Sequence, residues 1–125
     1  GLNLTVALDY GGRQDIASAA LAIAKEIEAG MLAADDVNDD LLKSRMSTKI
    51  LPPVDLLIRT GGEKRLSNFL LWDLSYAELF FSDKLWPDFT RSDLFDAITS
   101  FQGRQRRFGG GHYDTDQSLR VVVSD

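Results

Sequence analysis

Short apolar runs separated by helical patterns predict the architecture of this chain. Residues 2–9, 54–59 and 77–82 are strand-length segments rich in apolar side chains, and residues 2–8 show little polar alternation. Apolar runs of this kind are typical of strands that are buried on both faces of a parallel sheet. We therefore expect an α/β fold with a mostly parallel sheet, flanking helices and right-handed crossovers.

The first and last helices are predicted from apolar residues at helical spacing. The first follows residue 13 and stops at Gly30, and one of its faces carries Ile16, Ala20, Ile23 and Ile27. The last begins at Thr90, which with Asp93 is a candidate capping box. Its buried side is expected to comprise Leu94, Phe95, Ile98 and Phe101.

Two further segments have weaker local patterns. A second helix is predicted over residues 34–47, with Asp35 or Asp36 as its N-cap and basic residues near its C-terminal end. Near the end of the chain, residues 119–123 are expected either to form an edge strand or to remain loose.

The central strand leads into a loop with the chemistry of a phosphate site. Residues 59–65 carry Arg59, Arg65 and a glycine pair, and a serine–asparagine pair is then expected to open a short apolar helix over residues 69–72. A helix N-terminus favours an anion, glycines admit close approach, and guanidinium groups bind two phosphate oxygens at once. This strand–loop–helix order is typical of α/β proteins that hold phosphate.

Composition excludes several other functions. The length of 125 residues suits one domain, and a net charge of −5 argues against nucleic-acid binding by the chain as a whole. The absence of cysteine excludes disulfides, cysteine zinc sites and thiol catalysis, and the single His112 makes a His-based metal site improbable. No apolar run approaches the roughly 20 residues that span a bilayer, and no secretory signal is recognisable. A cytoplasmic protein is expected.

Five segments together carry a longer and more specific pattern. The central ones are IRTGGEKRLSNFLLW at residues 58–72, YAELFF at 76–81 and LWPDF at 85–89, and the outlying ones are YGGR at 10–13 and RFG at 107–109. In these segments the chain resembles the cis-prenyltransferases, a family that in bacteria is undecaprenyl diphosphate synthase. The expected fold is then part of the cis-prenyltransferase fold.

The resemblance implies a reaction and its participants. Such an enzyme joins isopentenyl diphosphate to an allylic diphosphate, here farnesyl diphosphate, in cis condensations that lead to undecaprenyl diphosphate, the lipid carrier for cell-wall synthesis. It is expected to need Mg²⁺, to form a homodimer, and to associate peripherally with the membrane through its lipid product. The developing charge on the leaving diphosphate requires cations aimed at its oxygens.

The resemblance also assigns roles to particular residues. Arg59, Arg65 and Ser67 correspond to the residues that hold the diphosphate of isopentenyl diphosphate, and Glu78 corresponds to a glutamate associated with Mg²⁺. The Arg107-x-Gly109 element reaches towards the active-site diphosphate in homodimeric members. Two simpler interpretations stay open: Arg59 could form a salt bridge with Glu63, and the basic residues before the final glycines could serve only to end a helix.

The resemblance covers residues 1–110, which correspond to the C-terminal half of a typical member, whereas residues 111–125 match nothing recognisable. The family's N-terminal half carries an Asp-Gly-Asn-Gly-Arg loop whose aspartate binds Mg²⁺, and this run does not occur here. We therefore expect a fragment that supplies the isopentenyl diphosphate half-site and is inactive alone. The sequence assigns a catalytic role to none of its residues. A non-catalytic homologue that acts as a diphosphate-binding or accessory subunit is the main alternative, and a generic phosphate-binding α/β module is a weaker one.

Overall fold

The computed structural model describes residues 2–104 and 119–124. These residues divide into two compact units. The first contains residues 2–52 and 66–72, and the second contains residues 53–65, 73–104 and 119–124. No helix in these ranges is long and apolar enough to cross a membrane.

The first unit is helical. It contains α1 (Gly12–Glu28), a 3₁₀ helix (Ala34–Asp36) and α2 (Asp39–Arg45), and α1 packs against α2. Arg45 forks onto the carboxylate of Glu26, with its Nε 2.7 Å from Oε2 and its second terminal nitrogen 2.8 Å from Oε1. The first helix lies where its apolar pattern predicts, although its fully buried alanine is residue 19 instead of residue 20.

The prediction of one continuous helix over residues 34–47 is wrong in its start and in its cap. Residues 34–36 form only a 3₁₀ helix, and α2 begins after Asn38, whose backbone is extended. The Asn38 side chain accepts a hydrogen bond from the N–H of Leu41 at 2.9 Å. An asparagine with extended backbone that satisfies a first-turn N–H is a strong N-cap, so the helix starts there and not at the aspartates before it.

The second unit contains a three-stranded parallel sheet, which confirms the predicted fold class. Its strands are β1 (Leu56–Arg59), β2 (Glu78–Phe81) and β3 (Val121–Ser124), arranged in the order β2-β1-β3. Leu56 pairs with Glu78 on one side and with Val121 on the other. The end of the chain, for which a strand and a loose segment were both open, is therefore a strand.

The predicted strand at residues 2–9 does not form. Residues 2–8 have no regular secondary structure, and Leu2, Leu4 and Leu8 are each more than 80% exposed. A strand needs a neighbour to pair its backbone groups, and residues 2–8 pair with none of the three described strands. An apolar run identifies strand propensity, but the pairing in the fold decides which run enters the sheet.

The core of the second unit lies between β1 and α3 (Arg91–Gln102). Leu56, Ile58 and Ala97 are buried there, and the half-buried side chains around them include Leu94, Ile98 and Phe101. The capping box that opens α3 forms as predicted, and a 3₁₀ helix over Trp86–Asp88 precedes it. Phe95 was expected on the buried face, but it is 52% exposed and lies beneath the guanidinium of Arg91 at 5.2 Å.

Candidate functional site

The candidate site begins where β1 and β2 end. The loop after β1 is tied to the segment after β2 by backbone hydrogen bonds from Gly61 to Lys84 at 2.7 Å and from Gly62 to Ser82 at 3.0 Å. Both glycines have positive φ, +80° and +75°, a region that other residues avoid. Since their N–H groups bond within the protein, these glycines shape the loop and do not offer those two donors to a phosphate. Ligands of parallel α/β sheets generally bind at such strand ends.

Arg59 is directed towards β3. It is only 9% exposed, and one of its terminal nitrogens lies 3.3 Å from the hydroxyl oxygen of Ser124, while its Nε is buried without a hydrogen-bond partner. The neighbouring Thr60 is completely buried and donates its backbone N–H to the Ser124 carbonyl at 3.0 Å. The salt bridge to Glu63 that was open for Arg59 is not formed. No sequence motif indicated Ser124 as a contact of this arginine.

Arg65 is the more accessible of the two loop arginines. Its side chain is 75% exposed, and its Nε lies 3.0 Å from Oε2 of Glu63, which is itself 49% exposed. An ion pair this exposed contributes little and exchanges readily with water or another anion. An anionic ligand can therefore replace Glu63, and most of the Arg65 side chain is open to solvent.

Ser67 lies in the first structural unit, whereas Arg59 and Arg65 lie in the second. Its side chain is exposed and its backbone has φ +50°. Arg65 and Ser67 are two residues apart in the chain.

The short helix predicted over residues 69–72 is replaced by turns. Asn68 and Leu70 have φ values of +66° and +44°, which are incompatible with a right-handed helix. Asn68 instead caps another helix: its carbonyl accepts from the N–H of Gly12, and its side-chain oxygen accepts from the N–H of Arg13. The partner lies more than 50 residues upstream, so no local pattern could have revealed this role.

Glu78 lies at the amino end of β2, away from Arg59. Leu56 pairs with Glu78 and Arg59 pairs with Phe81, which separates Glu78 from the Arg59 end by about 10 Å along the strands. Its carboxylate accepts a hydrogen bond from Arg104 at 2.9 Å. Within residues 2–104 and 119–124, no three acidic or histidine side chains come together as a metal site. These residues do not by themselves fit Mg²⁺, and the role predicted for Glu78 stays a prediction. Arg107 and Gly109 lie outside the described residues.

An ion pair between Lys84 and Asp93 links the segment after β2 to the start of α3. Lys84, whose carbonyl accepts from the N–H of Gly61, has its Nζ 2.6 Å from Oδ1 of Asp93. The Asp93 carboxylate also accepts hydrogen bonds from the backbone N–H and the hydroxyl of Thr90. The hydrogen bond from Lys84, followed by those from Thr90, lowers the pKa of Asp93 from 3.8 to about 2. The charged carboxylate therefore stabilises the folded state.

Stability should consequently fall as the pH drops from about 4 towards 2, because the folded-state pKa lies below the unfolded one. The variant Asp93→Asn should lose this dependence, and denaturant unfolding at several pH values measures it. Asp96→Asn removes the same charge from an exposed position of α3 and serves as the matched charge control. An unchanged slope in Asp93→Asn would assign the acid sensitivity to other carboxylates.

The sequence of this chain matches one protein family over most of its length. The sequence pattern of a family described as "Putative undecaprenyl diphosphate synthase" matches residues 1–109. An isoprenyl transferase of Geobacillus kaustophilus is 54% identical over 110 residues, which are 88% of this chain and 43% of that protein. A ditrans,polycis-undecaprenyl-diphosphate synthase of Pasteurella multocida, specific for (2E,6E)-farnesyl diphosphate, is 51% identical over 87% of this chain and 45% of its own length.

Solved structures also resemble this chain in fold. The crystal structure of lavandulyl diphosphate synthase from Lavandula x intermedia, in complex with dimethylallyl diphosphate, matches with a TM-score of 0.79 and 47% identity. The match covers 82% of this chain and 44% of that chain. The chain thus spans less than half the length of the relatives that it matches.

Proposed function

Because the chain belongs to the undecaprenyl diphosphate synthase family of prenyltransferases, we propose that it supplies the isopentenyl diphosphate half of a cis-prenyl transfer site. In this reaction the double bond of isopentenyl diphosphate attacks the allylic carbon of farnesyl diphosphate. Diphosphate leaves, a proton is lost, and a new cis unit is formed. Repetition leads to undecaprenyl diphosphate.

The observation that carries the proposal is the exposed guanidinium of Arg65 on the loop that follows β1. A guanidinium offers parallel donors to phosphate oxygens, and the exposed Ser67, two residues further along the chain, is a second candidate donor. Glu63 holds Arg65 by an exposed ion pair that an incoming diphosphate can replace. Arg59 adds positive charge at the end of β1, where one of its terminal nitrogens contacts the Ser124 hydroxyl.

The proposed enzyme also uses Mg²⁺, which when bound would offset the charge of the diphosphates. Since the described residues do not fit such a site, we propose that most of the metal's oxygen ligands come from outside this chain, with Glu78 as one candidate ligand within it. A homodimer, a cytoplasmic location and contact with the membrane surface through the lipid product belong to the same proposal. The chain is proposed to be inactive when it is alone.

Isopentenyl diphosphate should bind to this chain, and Arg65→Ala should weaken binding by about 10- to 100-fold, since charge-assisted hydrogen bonds of roughly 1.5–3 kcal/mol are lost. Isothermal titration calorimetry measures both affinities. Arg91→Ala is the matched control, because it removes one exposed positive charge from α3 and should leave the affinity within about twofold.

Equal losses in the two variants would mean that only net charge is sensed, which contradicts a specific site. Binding that is retained by a chain with no prenyl transfer activity in any combination would favour the accessory-subunit alternative.

A further inference from the structure

The turn that carries Ser67 is fastened to the start of α1 by its neighbour Asn68. The Asn68 carbonyl accepts from the N–H of Gly12 at 2.6 Å, and its Oδ1 accepts from the N–H of Arg13 at 2.8 Å. Its Nδ2 donates to Oε1 of Gln14 at 2.9 Å. One residue thereby satisfies two of the N–H groups that a helix start leaves without partners.

The glycines of the YGGR segment allow the turn that carries Ser67 to approach the start of α1 closely. A Cβ atom on Gly12 would lie 2.9 Å from Cγ of Leu71 and 3.1 Å from the Asn68 carbonyl oxygen, which is tighter than side chains tolerate. Gly11 is also crowded, since a Cβ there would lie 2.8 Å from Nδ2 of Asn68. The glycine pair therefore admits the turn that contains Ser67 and Asn68.

The backbone of this turn has a conformation that hydrogen bonds must hold in place. Ser67 and Asn68 both have positive φ, +50° and +66°. Asparagine tolerates this region better than other residues with side chains, whereas serine has no such preference. The hydrogen bonds of Asn68 hold the segment in a conformation that the Ser67 backbone would not keep unaided.

We propose that Asn68 is a positioning residue that holds the Ser67 hydroxyl where it binds diphosphate. The inference rests on the proposed function, because it assigns a role to Asn68 at the site where Ser67 contacts isopentenyl diphosphate. Asn68 acts through Ser67 and does not touch the ligand, since its side-chain oxygen and nitrogen are both engaged by α1.

A double-mutant cycle on the full chain tests this role, with calorimetric binding of isopentenyl diphosphate and of inorganic pyrophosphate as readouts. The variants are Ser67→Ala, Asn68→Gly and the double substitution. Glycine keeps the positive φ but removes both side-chain hydrogen bonds. We expect Asn68→Gly to weaken binding by about tenfold in the parent and by less than about twofold in the Ser67→Ala background, which is the coupling of residues that act as one unit.

A matched control separates positioning from helix capping. Asn38→Gly removes the corresponding side-chain cap of α2, where Asn38 accepts from Leu41, and should leave both affinities unchanged. If Asn68→Gly does not fold, as judged by circular dichroism, Gln14→Ala takes its place in the cycle. That variant removes only the partner of Nδ2 and should give a smaller loss that again disappears with Ser67→Ala.

The outcomes distinguish this inference from the proposed function. Equal effects of Asn68→Gly with and without Ser67 would overturn the positioning role while the binding site stands. A parent chain that binds neither ligand would overturn the proposed function and this inference with it.

Discussion

Prenyl transfer from isopentenyl diphosphate to farnesyl diphosphate should be undetectable with this chain alone and should appear when an N-terminal portion of a relative is added. The portion of the Pasteurella multocida synthase that this chain does not match provides the complement, since the chain covers 45% of that protein. The assay contains Mg²⁺ and follows radiolabelled isopentenyl diphosphate into an extractable lipid. The expected difference is between no detectable prenyl transfer for the chain alone and measurable transfer for the mixture.

The physical reason is that ionisation of the allylic diphosphate needs charge stabilisation that the described residues do not assemble. Glu78 is engaged by Arg104 and lies away from Arg59, and no metal-binding cluster occurs within residues 2–104 and 119–124. Preorganised cations contribute most where charge develops on the leaving group. The complementing portion is expected to provide the acidic loop that recruits Mg²⁺.

Two controls sharpen the complementation experiment. In the complemented mixture at low isopentenyl diphosphate, Arg65→Ala should lower the rate by about 10- to 100-fold, because the variant binds this substrate more weakly. Arg91→Ala should leave the rate within about twofold. Turnover by the chain alone would contradict the half-site proposal and would assign ionisation to carboxylates within these 125 residues.

Replacing Gly12 by alanine should destabilise the first unit by about 2–4 kcal/mol. The added methyl group meets Leu71 and the Asn68 carbonyl at 2.9 and 3.1 Å. Overpacking of this kind costs about 1–3 kcal/mol, and displacement of Asn68 from the Gly12 N–H adds about 1 kcal/mol. Urea unfolding followed by circular dichroism measures the change, because α1 is the longest helix described in this chain.

Gly103→Ala is the appropriate control for the Gly12 substitution. Gly103 also borders a helix, but a Cβ there would lie 3.6 Å from the nearest atom, which is an ordinary contact, and its φ is negative. Its replacement should change stability by less than about 1 kcal/mol and with either sign. Similar losses of stability in both variants would show that glycine is needed at residue 12 for helix-end flexibility, and not for the close approach of residues 68–71.

Elements that depend on interactions between residues close together in the chain were predictable from the sequence. The first helix has a long apolar face, β1 is a compact apolar run after two prolines, and Thr90 and Asp93 are close enough in the chain to form a capping box by themselves. The family pattern also led to the loop that carries Arg65 and Ser67. In each of these cases the interacting groups are within a few residues of one another, so the pattern contains the cause.

The tertiary structure decided the features whose partners lie far along the chain. Residues 2–8 have the composition of a strand but pair with none of the described strands, whereas β3 pairs with β1 and brings Ser124 to Arg59. Residues 69–72 have the composition of a helix, yet Asn68 bonds to the start of α1 and the positive φ of Leu70 interrupts a helical path. Local propensities differ by about 1 kcal/mol per residue, so a few long-range hydrogen bonds and one packed neighbour outweigh them. The sequence by itself indicated the residues that we propose for phosphate binding, whereas the packing of distant segments determined the contact of Arg59 with Ser124 and the anchoring of the turn that carries Ser67.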